Sequence, residues 1–192
     1  MAMTIPEFLA HLPASGDLPI PVITSRKDTG APAFGSVRGD VVLHLLQTGG
    51  CGVCGRPLER GDIHFASRIY DLLQGRAGSE PAMHRACCEA SLRMCPMLRG
   101  ERRTYRGYEN HPDAQEPLWW YIVACDWYTF EEVLAGPGQP AGAFVYPTGL
   151  AAITPVGPAE PYLITGDEAA QLHATLGGRY PILPPALPGP GQ

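Results

Sequence analysis

Cys51-Gly-Val-Cys54 is followed, after 29 intervening residues, by His84-Arg-Ala-Cys87, and these two short stretches are the strongest structural signal in the chain. Three thiols and one imidazole are the number and type of ligands that a tetrahedral Zn²⁺ site needs. Glycines within and after the first pair tolerate the positive φ of a tight turn, which brings two sulfurs to one ion. The sequence therefore predicts Zn²⁺ bound by Cys51, Cys54, His84 and Cys87.

The second ligand pair opens a predicted helix over residues 83–94, where positions i and i+3 share a face. A knuckle, a spacer and a helix that carries the second pair resemble a treble-clef zinc module, which we place at about residues 49–96. Four protein ligands leave no position for an activated water, so we expect the metal to be structural and not catalytic.

The choice of the fourth ligand has an alternative. Cys88 stands at i+4 from His84 and also reaches the helix face that carries the metal. Cys87 is the preferred ligand because it gives the His-x-x-Cys spacing. We interpret Cys95, which precedes Pro96, and Cys125, inside an apolar run, as small core residues.

A disulfide or a redox-active pair would be a different use of Cys51 and Cys54. The N-terminus lacks the basic and apolar regions of a signal peptide, and no apolar run has the length of a membrane-spanning helix. A thioredoxin-like pair opens a helix, whereas Arg56-Pro57-Leu58 follows this one. We therefore expect reduced thiols in the cytoplasm and no association with membranes.

The net charge of −5 argues against a general nucleic-acid-binding protein, but the charge is unevenly spread. Residues 1–106 contain 13 Lys and Arg against ten Asp and Glu, whereas residues 107–192 contain one against nine. Five arginines crowd the stretch at and after the end of the predicted zinc-binding helix: Arg93, Arg99, Arg102, Arg103 and Arg106.

These arginines have two interpretations. Cations are favoured at the C-terminus of a helix, and the group could also pair with the acidic half of the chain. Alternatively, arginines interleaved with Tyr105 and Tyr108 form a phosphate-binding patch beside a zinc module. The first interpretation is preferred and the second is the alternative.

Further elements are predicted in the first half of the chain. Thr4-Ile-Pro-Glu7 fits a capping box that opens a short helix, and residues 19–24 favour an extended segment. Residues 36–47 have apolar side chains at helical spacing, and the helix should end at Gly49-Gly50. Residues 62–67 alternate and indicate one strand of a hairpin.

The second half favours strands. Residues 118–125 are rich in aromatic and β-branched side chains and predict a buried strand. A single capped turn is expected at residues 129–132, and two short strands, 143–146 and 151–154, flank Pro147-Thr-Gly149. Thr165-Gly-Asp-Glu168 fits a second capping box, opening a helix through Leu176.

The predicted fold class is α+β, a small, mostly antiparallel sheet from residues 118–165 with short helices and the embedded zinc module. Short strands and many turns argue against a parallel sheet. Residues 1–180 should form one compact domain. Residues 181–192, with five prolines, should form a flexible tail.

The sequence contains no P-loop, dinucleotide-binding, serine-hydrolase, zinc-deaminase or zincin motif. Asp62-Ile-His64 matches the histidine of an HNH-type nuclease only loosely. If a substrate cleft lay between the zinc module and the aromatic strands, the side chains to inspect there would be His44, His64, Asp126 and Tyr128. No pattern in the sequence places these four together, so no catalytic residue is predicted.

The chain resembles a group of small proteins of actinomycetes and their phages whose activity is uncharacterised. The matching pieces are Ile5-Pro-Glu-Phe-Leu9, Cys51-Gly-Val-Cys-Gly55, Pro81-Ala-Met-His-Arg-Ala-Cys87 and Met94-Cys-Pro96. The closing piece, Gly166-Asp-Glu-Ala-Ala170, lacks the threonine of that group. The resemblance implies a metal-binding protein and supports His84 and Cys87 as the second ligand pair, but it implies no activity.

We therefore expect a zinc-stabilised binding or regulatory protein without enzymatic activity, which has a protein as its partner. One alternative is a zinc protein that binds nucleic acid through the arginines at residues 93–106. The other is a metal-dependent enzyme of unknown reaction.

Overall fold

The computed structural model describes residues 4–99, 120–133 and 142–156, together with positions 101 and 174. The fold is α+β, as predicted, and its main feature is an antiparallel sheet. Four strands form this sheet: β5 (Ile63–Ser67), β6 (Met83–His84), β7 (Trp120–Val133) and β8 (Gly142–Val156). Their order is β6-β5-β7-β8, and every pair is antiparallel.

The chain opens with a single 3₁₀ turn, Glu7–Leu9, and not with the predicted capped helix. Pro6 is the N-cap, and no side chain caps the turn. The capping box at Thr4 was wrong because a residue before proline, here Ile5, is driven out of the helical region. Leu9 is nonetheless buried and packs in the core.

Two small hairpins precede the first helix. Strand β1 (Ala14–Ser15) pairs with β2 (Leu18–Pro19), and β3 (Thr24–Arg26) pairs with β4 (Pro32–Val37). Helix α1 (Gly39–Thr48) therefore begins later than the predicted residue 36. The helical spacing at residues 36–37 misled because Val37 is paired with Thr24 in the hairpin. Gly49 ends α1 in the left-handed region, as expected.

Strands β7 and β8 are much longer than predicted, with 14 and 15 residues. The turn expected at residues 129–132 is strand, and the two short strands around Pro147-Thr-Gly149 are one continuous strand. Pairing along the whole of β7 with β8 outweighs these local turn signals. Gly149 has φ +60°, and a Cβ there would lie 2.6 Å from the Asp126 Cβ. Only glycine fits at this position of the strand without strain.

Helices α2 (Ile69–Leu73) and α3 (Arg85–Met94) complete the described elements. The predicted helix over residues 83–94 begins two residues late, because Met83 and His84 pair with β5 as strand β6. Helix α3 packs against β5. The knuckle, the β5–β6 hairpin and α3 thus follow one another in the order of the predicted treble-clef-like module.

One core cluster contains the knuckle, α1, α3 and the inner face of the sheet. Ile63, Tyr121, Val123 and Ile153 are almost completely buried on the sheet side. Cys51 and Cys87 belong to the same cluster, so the candidate metal ligands are part of the core. The capping box at Thr165–Glu168 and the proline-rich tail lie outside the described residues. Of the helix predicted through Leu176, position 174 is described, and it is helical.

Candidate metal centre

The structure brings together all four predicted ligands. One atom from each of Cys51, Cys54, His84 and Cys87 lies within 4.8 Å of the other three. The Nδ1 atom of His84 is 3.5 Å from the Cys54 Sγ and 3.9 Å from the Cys87 Sγ. Zn–S and Zn–N bonds of ordinary length at the tetrahedral angle set S and N about 3.6 Å apart. The donor set therefore fits a tetrahedral ion in both chemistry and spacing.

His84 is oriented by a backbone carbonyl. Its Nε2 lies 2.9 Å from the Pro57 oxygen. Because a carbonyl only accepts, Nε2 carries the proton and donates it, and Nδ1 keeps its lone pair for the metal. Pro57 follows the knuckle, so the chain segment that supplies the first two ligands also orients the third.

The knuckle is a tight turn whose backbone groups are paired. Gly55 has φ +75° and donates its N–H to the Cys51 carbonyl at 2.8 Å. The N–H of Gly52 donates to the Ala82 carbonyl at 2.9 Å, which joins the knuckle to the residues just before His84. On the outer side, the His11 Nε2 lies 3.1 Å from the Cys54 carbonyl oxygen. These bonds between protein groups position the two ligand pairs relative to each other without the help of a metal ion.

The three clustered thiols cannot all ionise without a cation. A hydrogen bond from the Cys87 thiol, helped by backbone amides of Cys54, His84 and Val53, lowers the pKa of Cys51 to about 4. The hydrogen bond with Cys51 and burial raise the pKa of Cys87, and burial raises that of Cys54. One thiolate and two protonated thiols are the result, and a divalent ion would supply the charge that lets the other two ionise.

The remaining cysteines lie outside the cluster. Cys88 is buried on α3, and burial raises its pKa to about 12. It does not belong to the group of four donors, so the structure brings Cys87 and not the alternative Cys88 to the site. Cys125 is buried on β7, as predicted, whereas Cys95 is half-buried at the end of α3 and is not the core residue expected. All six cysteines lie within the described residues, and none forms a disulfide.

The structure describes two of the five arginines proposed for nucleic-acid binding. Arg93 is exposed in the last turn of α3, and Arg99 forms an ion pair with Glu101. Arg99 also donates to the backbone oxygen of Arg93 at 3.4 Å. Arg102, Arg103 and Arg106 lie outside the described residues.

The four side chains singled out for an enzymatic alternative have separate surroundings. His44 is exposed on α1, and His64 is half-buried on β5 with Nδ1 3.8 Å from the Asp62 carboxylate. Asp126 is exposed and lies 3.6 Å from Arg60, whereas Tyr128 is buried and donates to the Leu46 carbonyl. Among the described residues, one group of three or more His, Cys, Asp or Glu side chains could hold a metal ion, and it consists of Cys51, Cys54, His84 and Cys87.

Sequence reasoning missed the backbone partners of the site. Three contacts depend on how distant segments pack, and no local sequence pattern predicts them: those of the Pro57 carbonyl, the Ala82 carbonyl and the His11 ring. The signal that was available is the proline itself, because Pro57 interrupts any helix after the knuckle and turns the chain back toward the site.

No described helix is both long and apolar enough to cross a membrane. Comparison with protein-family models, with curated proteins and with solved structures gave no match to this chain. The resemblance to the actinomycete and phage proteins therefore stays a prediction, and the geometry of the cluster carries the functional argument.

Proposed function

We propose that Cys51, Cys54, His84 and Cys87 hold a structural Zn²⁺ ion and that the chain is a zinc-stabilised, non-enzymatic binding or regulatory protein of the cytoplasm. The observation that carries this proposal is the closed set of four protein donors within 4.8 Å of one another. A metal ion whose four coordination positions are all occupied by side chains has no position left for a substrate or an activated water.

The surroundings of the site support a structural role. Three of the four donors are buried, and they belong to the main core cluster, so metal binding and core packing are coupled. A catalytic zinc needs an open position and a path for substrate, and burial of three donors opposes both. Free thiols at all six cysteines are consistent with a reducing compartment.

A protein is the proposed partner. The alternative, nucleic acid, rests on the arginines at residues 93–106, of which Arg99 forms an ion pair with Glu101. Binding to nucleic acid would fall steeply with salt, because each phosphate contact releases counterions. A gel-shift measurement at low salt separates the two partners, and a salt-sensitive shift there would favour nucleic acid.

Metal analysis of protein purified without added zinc tests the metal part of the proposal. We expect about one equivalent of zinc in the wild type and little in a Cys51→Ser/Cys54→Ser variant. Less than half an equivalent in the wild type would end the proposal. A pull-down from native host cells tests the binding part, and failure to enrich any macromolecule would contradict it.

A further inference from the structure

Strand β7 extends well beyond its neighbour β5. β5 pairs with residues 121–125 of β7, whereas β8 accompanies β7 as far as Val133. The Gly61 N–H donates to the Asp126 carbonyl at 3.0 Å, and after that point no described strand continues on this side. Among the described strands, residues 127–133 therefore have a neighbour on the β8 side only.

The hydrogen-bonding direction of this part of β7 follows from β8. The N–H and C=O of Val145 bond to Gly78 and Ala77, on the side of β8 away from β7. Val145 is the partner of Phe130, and opposed residues of an antiparallel pair point their backbone groups either toward each other or away. The backbone groups of Phe130, and by alternation those of Glu132, therefore point away from β8.

Pro147 supports this assignment independently. It is the partner of Tyr128, two residues before Phe130, and a proline within a sheet is tolerated where its missing N–H would face outward. Among the described residues, no hydrogen-bond partner is found for the N–H and C=O groups of Phe130 and Glu132. We call these four groups the open edge of β7.

A groove runs beside the open edge. It has a volume of about 450 Å³ and is lined by residues 46–49 at the end of α1 and residues 127–130 of β7. Four consecutive strand residues line it, which places the groove along the strand's edge and not over one face. Trp127 and Phe130 are half-buried and leave apolar surface in it.

The charge around the groove is negative. The described residues that line it include no Lys or Arg, and the groove lies at the C-terminal, negative end of the α1 dipole. Glu131 and Glu132 are exposed on the strand, and the nearby Arg60 is held by Asp126 and the Trp127 ring. A second copy of the chain would bring its own Glu131 and Glu132 to the same place, and like charges oppose that pairing.

We propose that the open edge of β7 binds an extended, basic peptide segment of a partner protein by adding it to the sheet as a further strand. Main-chain hydrogen bonds to Phe130 and Glu132 supply the affinity, and the groove accepts alternate side chains of the segment. Glu131 and Glu132 select for Lys or Arg. This site rests on the binding function proposed above and names the chemistry of the partner.

Selection from a library of random peptides of about 12 residues, on the full zinc-loaded chain, tests the site. Glu132→Pro removes one outward N–H without removing a bond to β8, and Glu132→Gln keeps that N–H and the contact with Gln47. We expect recovered peptides to be rich in Lys and Arg and to bind the proline variant at least about tenfold more weakly. Binding of the peptides to the Glu132→Gln variant should fall less than their binding to the proline variant. N-methylation of every second amide of a peptide should abolish its binding to the wild type.

Amide hydrogen exchange gives a second readout at the same residues. In the free protein, the amides of Phe130 and Glu132 should exchange faster than those of Thr129 and Glu131, and a selected peptide should protect them. Equal binding to the wild type and the proline variant, or no protection at Phe130 and Glu132, would overturn the site. Self-association that the proline variant abolishes would overturn it in favour of a second copy.

The two proposals fail separately. A native protein partner that binds the Glu132→Pro variant as tightly as the wild type would overturn the open-edge site and leave the binding function intact. Absence of any macromolecular partner would contradict the binding function itself. The zinc content of the proline variant should equal that of the wild type, because Glu132 lies outside the metal cluster.

Discussion

His84 offers Nδ1 to the three thiols because the Pro57 carbonyl holds its other ring nitrogen. Cys51, within the same pocket, is the thiol whose charge is already stabilised by neighbouring donors. At the scale of single residues, the site is therefore prepared for a cation by hydrogen bonds that do not depend on the cation.

Replacement of adjacent cysteines on α3 distinguishes the ligand from its neighbour. Cys87→Ser should weaken zinc binding by more than the roughly 10–100-fold that loss of an indirect partner costs. Cys88→Ala should keep one zinc, because Cys88 lies outside the cluster. Competition with a chromogenic chelator measures both affinities. A larger loss in the Cys88 variant would reverse the ligand assignment.

Zinc binding should release about two protons per ion near pH 8. The lowered pKa of Cys51 makes it a thiolate already, whereas the raised pKa values of Cys54 and Cys87 keep both protonated until the metal displaces their protons. Zinc affinity should accordingly rise with pH and fall as the solution is acidified. Calorimetry in buffers of different ionisation enthalpy counts the protons, and release of three would show that Cys51 is not ionised in the free pocket.

The sequence did not predict the full length of the hairpin that β7 and β8 form. Pro147 and Gly149 are turn residues by composition, yet neither breaks β8. Pro147 lies at a position where an N–H would point away from β7, so its absence costs no bond to that strand. Gly149 adopts the positive φ that allows the strand to pass Asp126. Local turn signals are therefore compatible with a strand when the pairing partner tolerates them, and that partner lies about 20 residues away in the chain.

Gly149→Ala tests this reading of the hairpin. Its Cβ would lie 2.6 Å from the Asp126 Cβ, and alanine disfavours φ +60°, so we expect a loss of about 1–3 kcal/mol in the free energy of unfolding. Gly142→Ala, at the start of the same strand, is the control because its Cβ meets no atom within 4 Å. Urea denaturation of the zinc-loaded proteins measures both, and equal stabilities would contradict the strain assigned to Gly149.

Two arginines form ion pairs with the buried Asp71 in the segment between β5 and β6. Asp71 is buried and lies 3.1 Å from Arg68 and 3.0 Å from Arg76, whose guanidinium stacks on the Phe144 ring of β8. Asp71→Ala leaves the mostly buried Arg76 without its carboxylate, so we expect a loss of about 3 kcal/mol in the free energy of unfolding.

The exposed pair of Arg85 and Glu89 on α3 is the matched control for this triad. Glu89→Ala should change the free energy of unfolding by less than about 0.5 kcal/mol. Thermal or urea unfolding of the two variants compares them directly. A triad variant as stable as the control would contradict the stabilising role assigned to Asp71.

For the molecule as a whole, the zinc ligands could be predicted from the sequence because each pair is local. Cys51 and Cys54 share one turn, and His84 and Cys87 stand three residues apart at the start of α3. The α+β class followed from short strands and many turns. The length of β7, the start of α3 and the open edge could not be predicted, because each depends on which distant strand pairs with which residues.

A closed tetrahedral site within the core requires three sulfur ligands and one imidazole nitrogen around the zinc. X-ray absorption at the zinc edge of the full chain tests it most directly. We expect three sulfurs at about 2.3 Å and one imidazole nitrogen at about 2.0 Å, with no further ligand. Two sulfurs, absence of imidazole scattering or a fifth ligand would contradict it.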